Sequence, residues 1–160
     1  MIVATLISDW SKEVLYESQM IGTLVSIAPE IKIINLSKGI ESFDFFKSAY
    51  ILKHSYRRYP KGTIHICLTE NYSHFSQEFI VYKNFEQFFI CINNGFLTLL
   101  FEEINEVYSF GKCNSKDEID FVANIFKLVL ENQYVNNAHF CKDLNFFMIQ
   151  KPAQSGNALI

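Results

Sequence analysis

Residues 1–36 read MIVATLISDWSKEVLYESQMIGTLVSIAPEIKIINL, a stretch that commits the chain to one class of architecture. The run IVATLI at 2–7 is continuously apolar and rich in β-branched residues, the pattern of a strand covered on both faces. After SDWSK a helical period extends to about residue 28, with Ile21, Leu24, Val25 and Ala28 on one face, and Pro29 ends it. IKIINL at 31–36 alternates and then stays apolar, a second strand. Strand, helix and strand within so short a span form a right-handed parallel crossover.

The same alternation continues. Ser42 is placed to cap a helix from 43 to about 57, with Phe45, Ala49, Leu52 and Tyr56 inward, stopped by Pro60 and Gly62. TIHICL is a third buried strand. EFIVYKN and EQFFICI then lie too close for anything but a hairpin around 84–86. A turn at Asn94 and Gly95, a short helix, and the strand EVYSF follow. Ser115 with Glu118 has capping-box spacing for a helix to about 131. The expectation is an α/β single domain: a mainly parallel sheet with helices on both faces plus an antiparallel hairpin. It occupies 1–131, and 132–160 is a partly flexible extension too short for a second domain, with one candidate strand, NFFMI.

Composition excludes several classes. Hydrophobic residues are 49% of 160, with 16 Phe and 8 Tyr, so the chain has the means to fold. The net charge is −3 and its 14 Lys and Arg form no basic stripe, so no nucleic acid partner is expected. No apolar run approaches the ~20 residues that cross a bilayer, so no membrane partner is expected. Cys67, Cys91, Cys113 and Cys141 have no C-x-x-C spacing and no signal peptide precedes them, which predicts free thiols and a cytoplasmic protein. His139 and Cys141 make an isolated H-x-C, short of the ligands a zinc site needs, and no metal is expected.

In an open parallel sheet, ligands bind beyond the carboxyl ends of the strands. The residues there are Ser8, Asp9 and Trp10, then Ser37 and Lys38, then Thr69 to Ser76, in three loops expected side by side. No glycine-rich phosphate cradle follows the first strand. A carboxylate at Asp9 suits sugar hydroxyls or a metal ion, and equally suits capping of the next helix. In the third loop Glu70 is the best acid and His74 a candidate base, while Asn71, Ser73 and Ser76 are also ordinary turn residues. His65, inside a strand, reads as a satisfied core histidine.

The succession IVATLISDW, SIAPEIKIINLS, SFDFFKSAYIL, YPKGTIH and NNG, in unbroken order over about 2–130, resembles the amino-terminal domain of the SAM hydroxide adenosyltransferases, relatives of the SAM-dependent chlorinase and fluorinase. The resemblance implies S-adenosylmethionine as ligand or substrate, no further cofactor, and a homo-oligomer, a trimer, in which the carboxy-terminal domain of a neighbour completes the site. Water or a halide then displaces methionine from the ribose C5′, a reaction that needs positioning and desolvation of the nucleophile. By the resemblance, Asp9 holds the ribose hydroxyls, Phe43 packs near the sugar, and Asn94 and Gly95 match a DNG turn with Asn93 in place of its aspartate. The family loop close to VDPGVGTERR aligns with LTENYSHFSQ, so Thr69 stands on the aspartate and Ser76 on the arginine of an Asp-Arg-His set. Asp117 stands on the histidine, and Val14 on a second acid near the methionine end.

Three readings follow. The first is a degenerate S-adenosylmethionine hydrolase-like domain that retains weak adenosyl binding without efficient catalysis. The second is a non-enzymatic interaction or assembly domain using Trp10, Tyr72 and Phe75. The third is an active hydrolase with a rearranged site in which Glu70 and His74 orient water, releasing adenosine and methionine.

Overall fold

The first strand, β1 (Ile2–Ser8), is buried along nearly its whole length and pairs in parallel with β2 (Ile31–Asn35) and β3 (Ile64–Leu68). The computed structural model describes residues 1–9, 14–42, 44–69, 77–141 and 143–144. Beyond β3 come the hairpin strands β4 (Gln77–Asn84) and β5 (Gln87–Ile92), then β6 (Val107–Cys113) and β7 (His139–Phe140). They form one sheet in the order β2-β1-β3-β5-β4-β6-β7. β5 is parallel to β3, and β4 is antiparallel to both β5 and β6. β2, β1, β3, β5 and β6 therefore run the same way, and their carboxyl ends share one edge.

Alternation along each strand feeds two cores. Ala4, Leu6, Ile64, Ile66, Phe79, Val81 and Ile90 meet α1 (Val14–Ile27) and α4 (Glu118–Leu130), with Tyr134 of α5 (Tyr134–Asn137) in the same cluster. Ile7, Cys67, Ile80, Tyr82, Phe89 and Cys91 face the other way, onto α2 (Phe45–Ser55) and α3 (Phe96–Leu100). The expected α/β architecture with helices on both faces is what the chain forms.

Local details depart from the sequence expectation. In α1 the buried residues are Met20 and Leu24, whereas Val25 is 41% exposed. Val25 lies about 100° around the helix from Leu24, past the edge of the stripe. The cap of α2 is Asp44, whose Oδ1 accepts from Lys47 N at 3.1 Å, not Ser42. Replacing Asp44 by Ala should cost about 1 kcal/mol, read as a fall of ~2–4 °C in the melting midpoint, while Ser42→Ala should leave it unchanged. A comparable fall in both variants would return the capping role to Ser42. A 3-10 turn at Ser115–Asp117 leads into α4, which starts at Glu118, and the Ser115 side chain of the expected capping box lies outside what the structure describes. The candidate strand NFFMI lies outside the described residues; α5 and β7 were not anticipated.

The β4–β5 turn is strained. Phe85 (φ 49°) and Glu86 (φ 59°) both sit in the left-handed region, as a two-residue hairpin turn of this hand demands, where Asn-Gly is the usual pair. Side chains with a Cβ resist this conformation by roughly 1–2 kcal/mol per residue. A Lys61–Glu86 ion pair and a hydrogen bond from Gly62 N to Glu86 O at 2.7 Å hold the turn down.

Candidate functional site

The shared carboxyl edge gathers the loops after β1, β2, β3, β5 and β6. Ser8 and Ser37 join the first two, because Ser37 Oγ accepts from Ser8 N at 2.9 Å and the two hydroxyls lie 3.3 Å apart. Ser37 N donates in turn to Asn35 Oδ1, and Asn35 Nδ2 to Glu17 Oε1 of α1. Asp9 follows directly and is only 7% exposed. A carboxylate so enclosed requires hydrogen-bond donors or a cationic partner.

Beside it, at the end of β3, Thr69 is 1% exposed, and its Oγ1 has no hydrogen-bond partner among the described residues. A buried hydroxyl left unmade costs about 1–3 kcal/mol. The Thr69 carbonyl is engaged, accepting from Asn94 Nδ2 at 2.9 Å across to the turn after β5. Asn94 Oδ1 accepts from Phe96 N at the start of α3, and Gly95 takes φ 93°, open to glycine without strain. Asp9 and Thr69 thus lie at neighbouring strand ends, as the order of elements predicts, and Asn94, expected only from the resemblance, lies at the next one.

The other expected residues are less uniform. Asp117 lies past the end of β6 at the same edge but is exposed, unlike Asp9 and Thr69. Trp10, Phe43, Glu70, Asn71, Tyr72, Ser73, His74, Phe75 and Ser76 lie outside the described residues. His65 is a core histidine: its Nδ1 is 2.7 Å from Thr5 Oγ1 and its Nε2 3.2 Å from Gln87 Oε1.

Sequence reasoning missed a polar cluster one strand further along. Glu78 of β4 accepts from Ser109 Oγ at 2.5 Å and from Asn93 Nδ2 at 2.6 Å, and Asn93 also donates to Asp143 O at 3.0 Å. Asn93, which stands where the resembled turn carries aspartate, is therefore used to hold β4 and residue 143 to the turn. Glu78 shares the inward period of Ile80 and Tyr82, and an acid on that period was the available signal.

Among the described residues the chemistry at this edge is polar without a prepared nucleophile. Burial pushes the Cys113 thiol up, aided by the nearby Asp117 and Glu118 charges, and burial with Glu78 does the same to Cys141. Both stay protonated near neutrality, and a thiol attacks only as thiolate. All four cysteines are free thiols. Thr69 supplies a neutral hydroxyl where a base would need a carboxylate or imidazole. Among the described residues no group of three His, Cys, Asp or Glu could hold a metal ion, and no helix is long and apolar enough to cross a membrane.

Two solved structures share this architecture. An uncharacterized conserved protein from Thermotoga maritima matches with a TM-score of 0.78 at 18% identity, covering 94% of this chain and 62% of that one. A conserved hypothetical protein from Thermus thermophilus matches at 0.75 and 14%, covering 92% and 62%. At such identity the likeness is one of fold, and this chain spans about 62% of their length. No curated protein matches. The family model for the SAM hydroxide adenosyltransferase N-terminal domain matches residues 4–128, most of the chain, and reaches every strand of the sheet except β7. The chain belongs to the SAM hydroxide adenosyltransferase N-terminal domain family.

Proposed function

We propose that the chain is a degenerate S-adenosylmethionine hydrolase-like domain that holds an adenosyl compound at the carboxyl edge of its sheet and hydrolyses it inefficiently. One observation carries this: the buried Asp9 carboxylate lies at a strand end next to a buried Thr69 hydroxyl without a partner among the described residues. A carboxylate accepts from two vicinal hydroxyls at once, and an adjacent hydroxyl supplies one further bond. Family membership makes the ribose of an adenosyl group the fitting source of those hydroxyls. The poor catalysis follows from chemistry: Thr69 and Asp117 are a neutral hydroxyl and an exposed acid where the resembled enzymes place an acid and a histidine.

A ligand's surface must be largely enclosed for tight binding. In this reading a second chain covers the edge, in a homo-oligomer of trimeric form, in the cytoplasm. Calorimetric titration with adenosine and with S-adenosylmethionine should give measurable heat, and Asp9→Ala should weaken it about 10- to 100-fold, the worth of hydrogen bonds to a charged group. S-adenosylmethionine should be recovered intact over many hours. Multiple-turnover release of adenosine, lost in Glu70→Gln or His74→Ala, would replace this proposal by the rearranged-site enzyme. Absence of heat with every adenosyl compound would replace it by the interaction domain.

A further inference from the structure

At the opposite, amino edge of the sheet, the end of α2, the turn after β4 and the loop after α3 enclose an open groove of about 780 Å³. Lys53 and Arg58 stand on one wall and Glu102 and Glu103 on the other, all exposed. None of these four makes an ion pair among the described residues. Complementing the carbonyl end of α2 accounts for the basic wall. It leaves the acidic wall and Phe85 unexplained.

Phe85 is 63% exposed at the strained hairpin turn, where sterics ask for Asn or Gly. Its ring is not loose: the Arg57 guanidinium lies over it at 4.8 Å, and Arg57 Nε donates to Tyr56 Oη at 3.0 Å. Retained strain that displays a large apolar ring points to a use for the ring. The charges are on long exposed side chains rather than converging on a buried point, which suits a protein surface better than a small molecule. Separate basic and acidic walls flanking an aromatic anchor are also self-complementary under a two-fold rotation, since each wall then meets its opposite twice.

We propose that this groove is a two-fold contact between copies of this chain, with Lys53 and Arg58 of one copy against Glu102 and Glu103 of the other and Phe85 seated at the centre. The contact is independent of the adenosyl site, which lies at the other edge. A trimer built around the adenosyl site would be paired with a second one through this groove, not displaced by it.

Sedimentation equilibrium of the full chain tests it. At low salt the mass should be twice that found in ~1 M salt, where charges are screened beyond ~3 Å. Lys53→Glu with Arg58→Glu, and separately Glu102→Lys with Glu103→Lys, should each halve the low-salt mass, weakening association at least tenfold. Mixing the two reversed proteins in equal amounts should restore it. Phe85→Asn should also halve the mass without lowering the melting midpoint, because Asn accepts the turn's backbone; this separates lost docking from lost folding. A wild-type mass that does not change with salt or concentration, variants that keep the wild-type mass, or a mixture that fails to recover it would each overturn the proposal.

Discussion

Phe89→Ala should cost about 3–5 kcal/mol, among the largest losses any single substitution here can produce. Phe89 sits on β5 near the middle of the sheet with no exposed surface. Its ring stacks on His65 at 4.7 Å and meets the edges of Phe101 at 5.0 Å and Tyr56 at 5.5 Å. Tyr56 and Phe101 also touch each other, so the four rings brace β3, β5, the end of α2 and the loop after α3 together. Truncation removes the apolar contacts and opens a cavity that these neighbours, fixed by their own backbones, cannot close. For a domain of this size the loss corresponds to a midpoint lower by roughly 10–15 °C, measurable by calorimetry or urea titration. Phe89→Leu should recover about half of it. A loss under about 1 kcal/mol for the alanine variant would mean that the cluster repacks and is not the brace assigned to it.

What could be read in advance depended on how local the determining signal was. β1 and β3 are long apolar runs, and burial on both faces leaves no other place for them. The β4–β5 hairpin followed from the closeness of its two strands, although neither Phe85 nor Glu86, which form the turn, is a turn former. Ser42 is the expected cap of α2, and only the path of the chain into the helix gives that role to Asp44 two residues on. α5 and β7 have no periodicity of their own; Tyr134 is held by the core and Cys141 N by Val107 O. At the site, Asp9 and Thr69 were legible because strand order alone brings the ends of β1 and β3 together, whereas Asn94, at the end of β5, follows only from the family resemblance. The Glu78 bridge was not, because its partners Asn93 and Ser109 come from the turn after β5 and from β6, and no spacing in sequence announces them.

Acid should destabilise the protein before most carboxylates titrate, and His65 is the reason. Burial lowers its pKa from 6.5 to about 4, with the hydrogen bond to Gln87 acting weakly in the other direction. The tautomer follows from the network. Gln87 Nε2 faces the carbonyls of Tyr56, Tyr59 and Pro60 at 3.1, 2.8 and 3.2 Å, so its Oε1 is left to accept from His65 Nε2–H. Nδ1 then accepts from the Thr5 hydroxyl, and the ring is neutral. The Thr5 hydroxyl can turn to accept instead, so the opposition to a charged ring comes from its enclosure by Phe89, Tyr56 and Tyr59, which offer no counter-charge. Because the folded pKa is depressed, this contribution is complete above pH 6.5. Below it the unfolded chain takes up a proton that the native chain refuses, and stability falls until about pH 4, where both are protonated. The loss is about 2 kcal/mol by pH 5 and at most roughly 3 kcal/mol in all. Urea denaturation at half-unit steps between pH 7 and 5 should therefore show a slope approaching one proton, and His65→Gln, less stable at pH 7, should flatten it. An unchanged slope in that variant would assign the acid sensitivity to another group and leave His65 titrating as an ordinary histidine.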